Sequence, residues 1–178
     1  MLQGAFSHKI LRHICNSAGI ERFPQYHFDM VRLGLGLYGI SPVNDTLIHP
    51  IGTLRSTILQ IHDVPATETV GYSRRGNLAR ASRIASIPIG YADGLDRHLG
   101  NGRGYCIVNG HQAPYVGNIC MDVCMIDVTD IPCHEGDAVE IFGPQLPVTQ
   151  LAQWLDTIPY EVMTGISTRV RRIYTVEN

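Results

Sequence analysis

Hydrophobic and polar positions change rhythm near position 53. Before it, apolar residues fall in two blocks. Ile10 to Cys15 is an apolar run with Arg and His inside it, followed by Asn16-Ser-Ala-Gly19, a cluster suited to a turn or a helix start. Phe28 to Gly39 reads as a buried strand carrying a single arginine, Arg32. Two strand-like runs with loop residues at their ends predict α/β material, too little for a domain by itself.

From Thr53 the pattern is β. Leu54 to His62 alternates imperfectly, as in a strand partly covered on both faces, and Ala79 to Ile89 alternates again. Between them, Pro65 to Gly76 is a glycine-bounded turn region that presents Tyr72. Asn109-Gly110 between Tyr105–Val108 and His111–Val116 predicts a hairpin with a type I′ turn. Ile119 to Val128 and Ala138 to Phe142 complete the sheet. Val148, Leu151, Ala152 and Leu155 have helical spacing, Ile158 to Ser167 is another turn of helix, and Val170 to Val176 a last strand. The fold class expected is mostly β, a small Greek-key-like barrel with short helices.

Composition narrows the function classes more than the fold. With 178 residues, 44% hydrophobic and 17% charged, the chain is globular rather than disordered. The net charge is -2 and the longest basic cluster is Arg169-Val-Arg-Arg172, so no footprint for nucleic acid exists. No apolar stretch near the start resembles a signal peptide and none approaches a membrane span, so a cytoplasmic protein is expected. Five cysteines without paired spacing argue against a disulfide framework, and without a Cys-x-x-Cys pair they argue against zinc.

Candidate chemistry concentrates between Ile87 and Asp127, where glycines punctuate short apolar runs. Asp93, Asp96 and Asp122 are candidates for an acid/base pair. Asp93-Gly94 is also a common turn dipeptide, and the turn is the stronger reading. Tyr72 and Tyr160 stand in polar, turn-rich contexts, although pattern alone favours packing or hydrogen-bonding roles for them. Gly34-x-Gly36-x-x-Gly39 has the spacing of a dinucleotide fingerprint. Ser41-Pro42 follows at once and no acidic residue stands about 20 positions on, so only glycines that admit an anion to backbone N–H groups remain.

Five ordered segments then carry a resemblance: Val31-Arg-Leu-Gly-Leu-Gly-Leu-Tyr-Gly39, Thr69-Val-Gly-Tyr-Ser73, Ile87-Pro-Ile-Gly-Tyr-Ala-Asp-Gly94, Gly117-Asn-Ile-Cys-Met-Asp122 and Tyr160-Glu-Val-Met-Thr-Gly-Ile-Ser167. With Asn16-Ser17 upstream they resemble the alanine racemase family from about Asn16 to Arg172. The likeness is to the C-terminal part of that enzyme. It implies that residues 1–42 are the remnant of a (β/α)8 barrel that binds pyridoxal phosphate, and that residues 43–178 form the C-terminal β domain. The lysine that holds the cofactor covalently lies in the part of the barrel this chain lacks. The chain therefore reads as a truncated form, inactive alone, of such an enzyme, and a parent fused to a cell-wall ligase is one alternative.

The resemblance also implies roles. Tyr72 matches the catalytic tyrosine that takes the α-proton from L-alanine, with the barrel lysine acting on the opposite face. A phenol, ordinarily with a pKa near ~10, needs neighbouring positive charge for that work. The family's arginine for this purpose lies in the absent barrel, and Arg74 and Arg75 are near in sequence. Arg32 matches the arginine that donates to the pyridine nitrogen; otherwise it is a strand arginine neutralised by Asp29. Ser17, the backbone at Gly34 and Leu35, and Tyr160 match phosphate ligands. Tyr91 matches a tyrosine that narrows the substrate entrance, and Met121 one whose backbone N–H meets the substrate carboxylate; strand packing is the alternative for both. Tyr72-Ser73 stands where many members have Tyr-Gly, which changes the turn. The implied partners are alanine and a second copy, with active sites shared across a homodimer, and the implied purpose is D-alanine for peptidoglycan. A broad-specificity amino-acid racemase and a non-catalytic dimerisation domain are the alternatives.

Overall fold

In the computed structural model, which describes residues 4, 6–43 and 48–175, the chain divides into two units, Met1–Gly52 and Thr53–Asn178. In the first unit the Asn16 side chain accepts the Gly19 N–H at 3.0 Å and caps α1, Ser17–Arg22, as the sequence predicts. Extended segments precede and follow this helix. Asp29 N–H donates to the Arg12 carbonyl and Arg32 N–H to that of Cys15, so the two segments run parallel. Parallel segments joined through a helix have the connectivity of a βαβ unit.

The buried strand expected over Phe28–Gly39 does not form. Phe28 to Leu33 is exposed, and Leu35–Tyr38 winds into a 3-10 turn that ends on Gly39 at φ +71. A parallel strand is buried only when neighbours flank it and helices cover it. Among the described residues of this unit, the backbone bonds show it one neighbour.

The second unit is a curled antiparallel sheet. Its strands are β1 (Leu54–Thr57), β2 (Gln60–Val64), β3 (Thr69–Val70), β4 (Gly76–Asn77), β5 (Ser82–Ile87), β6 (Tyr105–Val108), β7 (His111–Val116), β8 (Cys124–Asp127) and β9 (Ala138–Phe142). Seven of them pair in the order β1-β9-β6-β7-β8-β5-β2, while β3 and β4 form a separate ribbon. The single strand expected over Leu54–His62 is thus two, at opposite edges of the sheet. Laid flat, seven strands would put those edges about 29 Å apart. The step from Thr57 to Gln60 spans at most about 11 Å. The sheet therefore curls, and the link itself serves both edges: Ile58 N–H donates to the Asp137 carbonyl and Leu59 N–H to that of Ser86.

The inner face of the curl is apolar. Ala85, Ile87, Cys106, Val108, Ala113, Tyr115, Ile126, Val139 and Ile141 are at most 2% exposed. All five cysteines are buried and unpaired. The predicted hairpin is present, with Asn109 at φ +48 and Gly110 at φ +82 as a type I′ turn requires. Two helices follow, α2 (Val148–Trp154) and α3 (Pro159–Thr164), where helical spacing predicted them. The last strand expected from Val170 does not form over residues 170–175, and Val176 lies outside the described residues. Arg172 explains the difference, since its guanidinium donates to the carbonyls of Ile166, Ser167 and Val170 and holds the chain in a bend. Among the described residues no helix is long and apolar enough to cross a membrane, and no cluster of three metal-type ligands occurs.

Candidate functional site

Ser17 opens α1 and is buried. Its Oγ accepts the Gly34 N–H at 3.0 Å and the Gly36 N–H at 3.4 Å. Among the described residues nothing accepts the Ser17 O–H in turn. A hydroxyl that accepts two N–H groups is polarised as a donor, so this buried proton fits an anionic oxygen. The Gly34 N–H is itself engaged by Ser17, and an anion here would meet the hydroxyl first. Leu35 is buried at the start of the 3-10 turn. That turn ends tightly, because a Cβ on Gly39 would lie 1.7 Å from the His49 carbonyl oxygen.

Arg32 lies in the same unit. Its N–H reaches the Cys15 carbonyl and its Nη2 the Ile14 carbonyl at 3.1 Å. Asp29, the neutralising partner considered for it, instead takes Arg12, with Nε to Oδ2 at 2.8 Å. The hydrogen bond from Arg12 holds the Asp29 carboxyl down at about 2.

In the second unit, β3 and β4 frame the loop that carries Tyr72. Gly71 enters it at φ +77, and a Cβ there would lie 2.8 Å from Met125 Cε. Tyr72 is 75% exposed at the tip. Ser73 and Arg74 follow at φ +60 and +53, left-handed conformations that cost a side-chain-bearing residue about 1–2 kcal/mol. The serine that departs from the family's usual glycine thus occupies a glycine-type conformation. Ser73→Gly should therefore raise stability by about 0.5–1 kcal/mol, measured as a higher urea midpoint with an unchanged slope. Asn118 Nδ2 donates to the Tyr72 carbonyl at 3.3 Å and ties the loop to the segment that follows β7.

That segment leads to Met121. The Gly90 turn packs on it through Tyr91 N–H to the Cys120 carbonyl and Ala92 N–H to the Met121 carbonyl, both at 3.0 Å. Glycine is required at 90, since a Cβ would lie 2.3 Å from both carbonyl oxygens. Among the described residues nothing accepts the Met121 N–H, and the residue is 53% exposed. Tyr91 is half-exposed beneath Arg97, whose Cζ stands 6.0 Å from the ring centre. It also borders an open cavity of about 900 Å³, shared with Asp96, Leu155, Thr157 and Glu161. Tyr160 stands on α3, where its carbonyl accepts the Thr164 hydroxyl.

Of the three aspartates, Asp96 stands apart. Asp96 caps the turn at Arg97–Leu99 and bonds His98 through its backbone N–H and Nδ1. Asp93 and Asp122 share Arg169, with Nε to Asp93 at 2.7 Å and Nη2 to Asp122 at 2.6 Å. Burial pushes the Asp93 carboxyl up, but Arg169 and the Gly90 N–H outweigh it and hold it below the usual range. A carboxylate kept ionised in this way is no general acid. Sequence reasoning missed Arg169, visible only as part of a basic cluster, because its partners lie 76 and 47 positions away. Asn118 lies inside Gly117–Asp122, where an amide side chain next to a glycine is the sequence signal for such a tie.

Comparisons agree on one family. Residues 51–174 match the model of the alanine racemase C-terminal domain, and residues 2–42 that of the alanine racemase N-terminal domain. A biosynthetic alanine racemase of Agrobacterium fabrum is 41% identical over 90% of this chain and 45% of its own length. Alanine racemase 1 of Clostridium acetobutylicum is 42% identical over 92% and 45%. Among solved structures, the alanine racemase of Bartonella henselae with covalently bound pyridoxal phosphate superposes with a TM-score of 0.89 at 36% identity, over 94% of this chain and 48% of that one. The chain spans a little under half the length of these relatives. On the match of its own residues, the chain belongs to the alanine racemase family.

Proposed function

We propose that this chain supplies the C-terminal part of an alanine racemase: residues 1–42 as the end of the cofactor barrel, and residues 43–178 as the β domain. The observation that carries the reading is the segment Gly117–Asp122. It fixes the Tyr72 loop through Asn118 and presents a Met121 N–H that nothing among the described residues accepts. In the proposed reaction the Met121 N–H binds the alanine carboxylate, and the Tyr72 hydroxyl, as phenolate, takes the α-proton from L-alanine. Run backwards, the same hydroxyl returns a proton to that face of the α-carbon. Tyr91 narrows the entrance so that a methyl side chain enters more easily than a large one.

The Ser17 hydroxyl, polarised by the Gly34 N–H, with the Leu35 backbone and the Tyr160 hydroxyl would hold the phosphate of pyridoxal phosphate. That cofactor, when bound, makes the α-hydrogen acidic by withdrawing electron density into its ring. Arg32, always protonated, would donate to the pyridine nitrogen and hold it unprotonated, which limits the ring as an electron sink and restrains side reactions. The buried Ser17 proton, which nothing among the described residues accepts, supports the phosphate role, and the pairing of Asp29 with Arg12 supports an Arg32 not neutralised by that carboxylate. The exposure of Tyr72 supports action in trans, across a homodimer whose active sites are shared. A cytoplasmic enzyme of this kind would provide D-alanine for peptidoglycan.

Rescue of a D-alanine-requiring bacterium tests the reading. Joined to the N-terminal barrel segment of the Agrobacterium fabrum relative, the chain should restore growth without D-alanine, and the chain alone should not. No rescue by a joined protein that is soluble and folded would remove the proposal.

A further inference from the structure

The Arg169 clamp lies beside the substrate wall but has no part in the proton chemistry. Its guanidinium spans two carboxylates on two different segments. Asp93 belongs to the turn of Gly90–Gly94, where its other oxygen accepts the Gly90 N–H at 2.9 Å and its carbonyl accepts the Ser167 N–H at 3.0 Å. Asp122 directly follows Met121. The two segments already touch through the Tyr91 and Ala92 N–H groups, whose acceptors are the carbonyls of Cys120 and Met121. One cation therefore locks the turn that carries Tyr91 to the segment that carries Met121, two residues after the tyrosine and one after the methionine.

We infer that Arg169 is a positioning residue for substrate carboxylate binding: by bridging Asp93 and Asp122 it fixes the direction of the Met121 N–H and the distance of Tyr91 from it. This rests on the racemase reading above. Arginine suits the task, because its planar fork presents two donors at fixed separation, and a lysine ammonium acts as one point charge. Arg169 and Asp122 are open to solvent while Asp93 is mostly covered, so these partly solvated pairs contribute modestly to global stability. Their consequence is local geometry.

Amide exchange on this chain, with Arg169→Gln and Arg169→Lys, tests the clamp. In Arg169→Gln the Tyr91 and Ala92 amides should exchange at least about tenfold faster, while those of Tyr115 and Val128 in the sheet keep their rates. Arg169→Lys should fall between. In the racemase joined to its barrel segment, KM for alanine and the inhibition constant for propionate, which carries a carboxylate and no amine, should both rise about tenfold in Arg169→Gln, with kcat changed less than about threefold. Unchanged exchange at Tyr91 and Ala92, or a fall in kcat at constant KM, would overturn the inference. Absence of racemisation by the unmutated joined protein would instead sink the racemase reading and the link to substrate with it, and the exchange rates tell that failure from failure of the clamp.

Discussion

Tyr72→Phe, in the racemase joined to its barrel segment, is expected to lower racemisation by about 10²–10⁴-fold, the usual contribution of one positioned acid/base group. Both directions must fall together. The enantiomers have equal free energy, so the ratio of forward to reverse kcat/KM stays fixed whichever group is removed. The asymmetry of a two-base reaction shows elsewhere. With the phenol gone, the remaining base still removes the α-proton of D-alanine and returns a solvent proton to the same face. In deuterium oxide the variant should therefore exchange the α-hydrogen of D-alanine without inversion, and fail to exchange that of L-alanine. Because Tyr72 is 75% exposed at a loop tip, the substitution should leave the unfolding midpoint unchanged. Unchanged turnover in both directions would remove the assigned role.

Gly90→Ala is expected to give the largest loss of stability in the second unit, about 2–4 kcal/mol. The added methyl meets two backbone carbonyls at 2.3 Å, and neither can retreat without breaking the bonds that Tyr91 and Ala92 make to them. In a domain of this size the loss should lower the melting temperature by about 5–15 °C. Gly102→Ala is the control. Gly102 has φ +77 and nothing within 4 Å of its added Cβ, so it carries the conformational cost alone, about 1 kcal/mol. Equal losses at the two positions would mean that the close approach at Gly90 is not what demands glycine there.

What the sequence made legible was local. Asn109-Gly110 specifies a type I′ turn by its own conformational preference, and the flanking strands β6 and β7 stand where the alternation put them. The helices α2 and α3 follow from spacing, and Asn16 from its capping chemistry. What was not legible depended on distant partners. Nothing within Leu54–His62 says that its two halves serve opposite edges of a sheet, because that follows from the closure of all seven strands. Phe28–Gly39 is apolar enough for a buried strand, but burial is supplied by neighbours and not by the strand itself. Val170–Val176 had the composition of a strand and lost residues 170–175 to the carbonyl bonds of Arg172. The same holds at the candidate site. The five motifs single out Tyr72, Tyr91 and Met121 as candidates, while the clamp of Asp93 and Asp122 on Arg169 closes over 76 and 47 positions and became visible only in three dimensions.

The central claim, that this chain brings the tyrosine and the carboxylate wall to a racemase whose cofactor lysine lies elsewhere, is tested most directly by chirality-resolved assay of D-alanine formed from L-alanine with pyridoxal phosphate present. The predicted result is no D-alanine and no covalently held cofactor, judged from the visible spectrum, for the chain alone, and steady D-alanine formation once it is joined to the barrel segment. Stoichiometric covalent cofactor and racemisation by the chain alone, or none by a folded joined protein, would contradict the account.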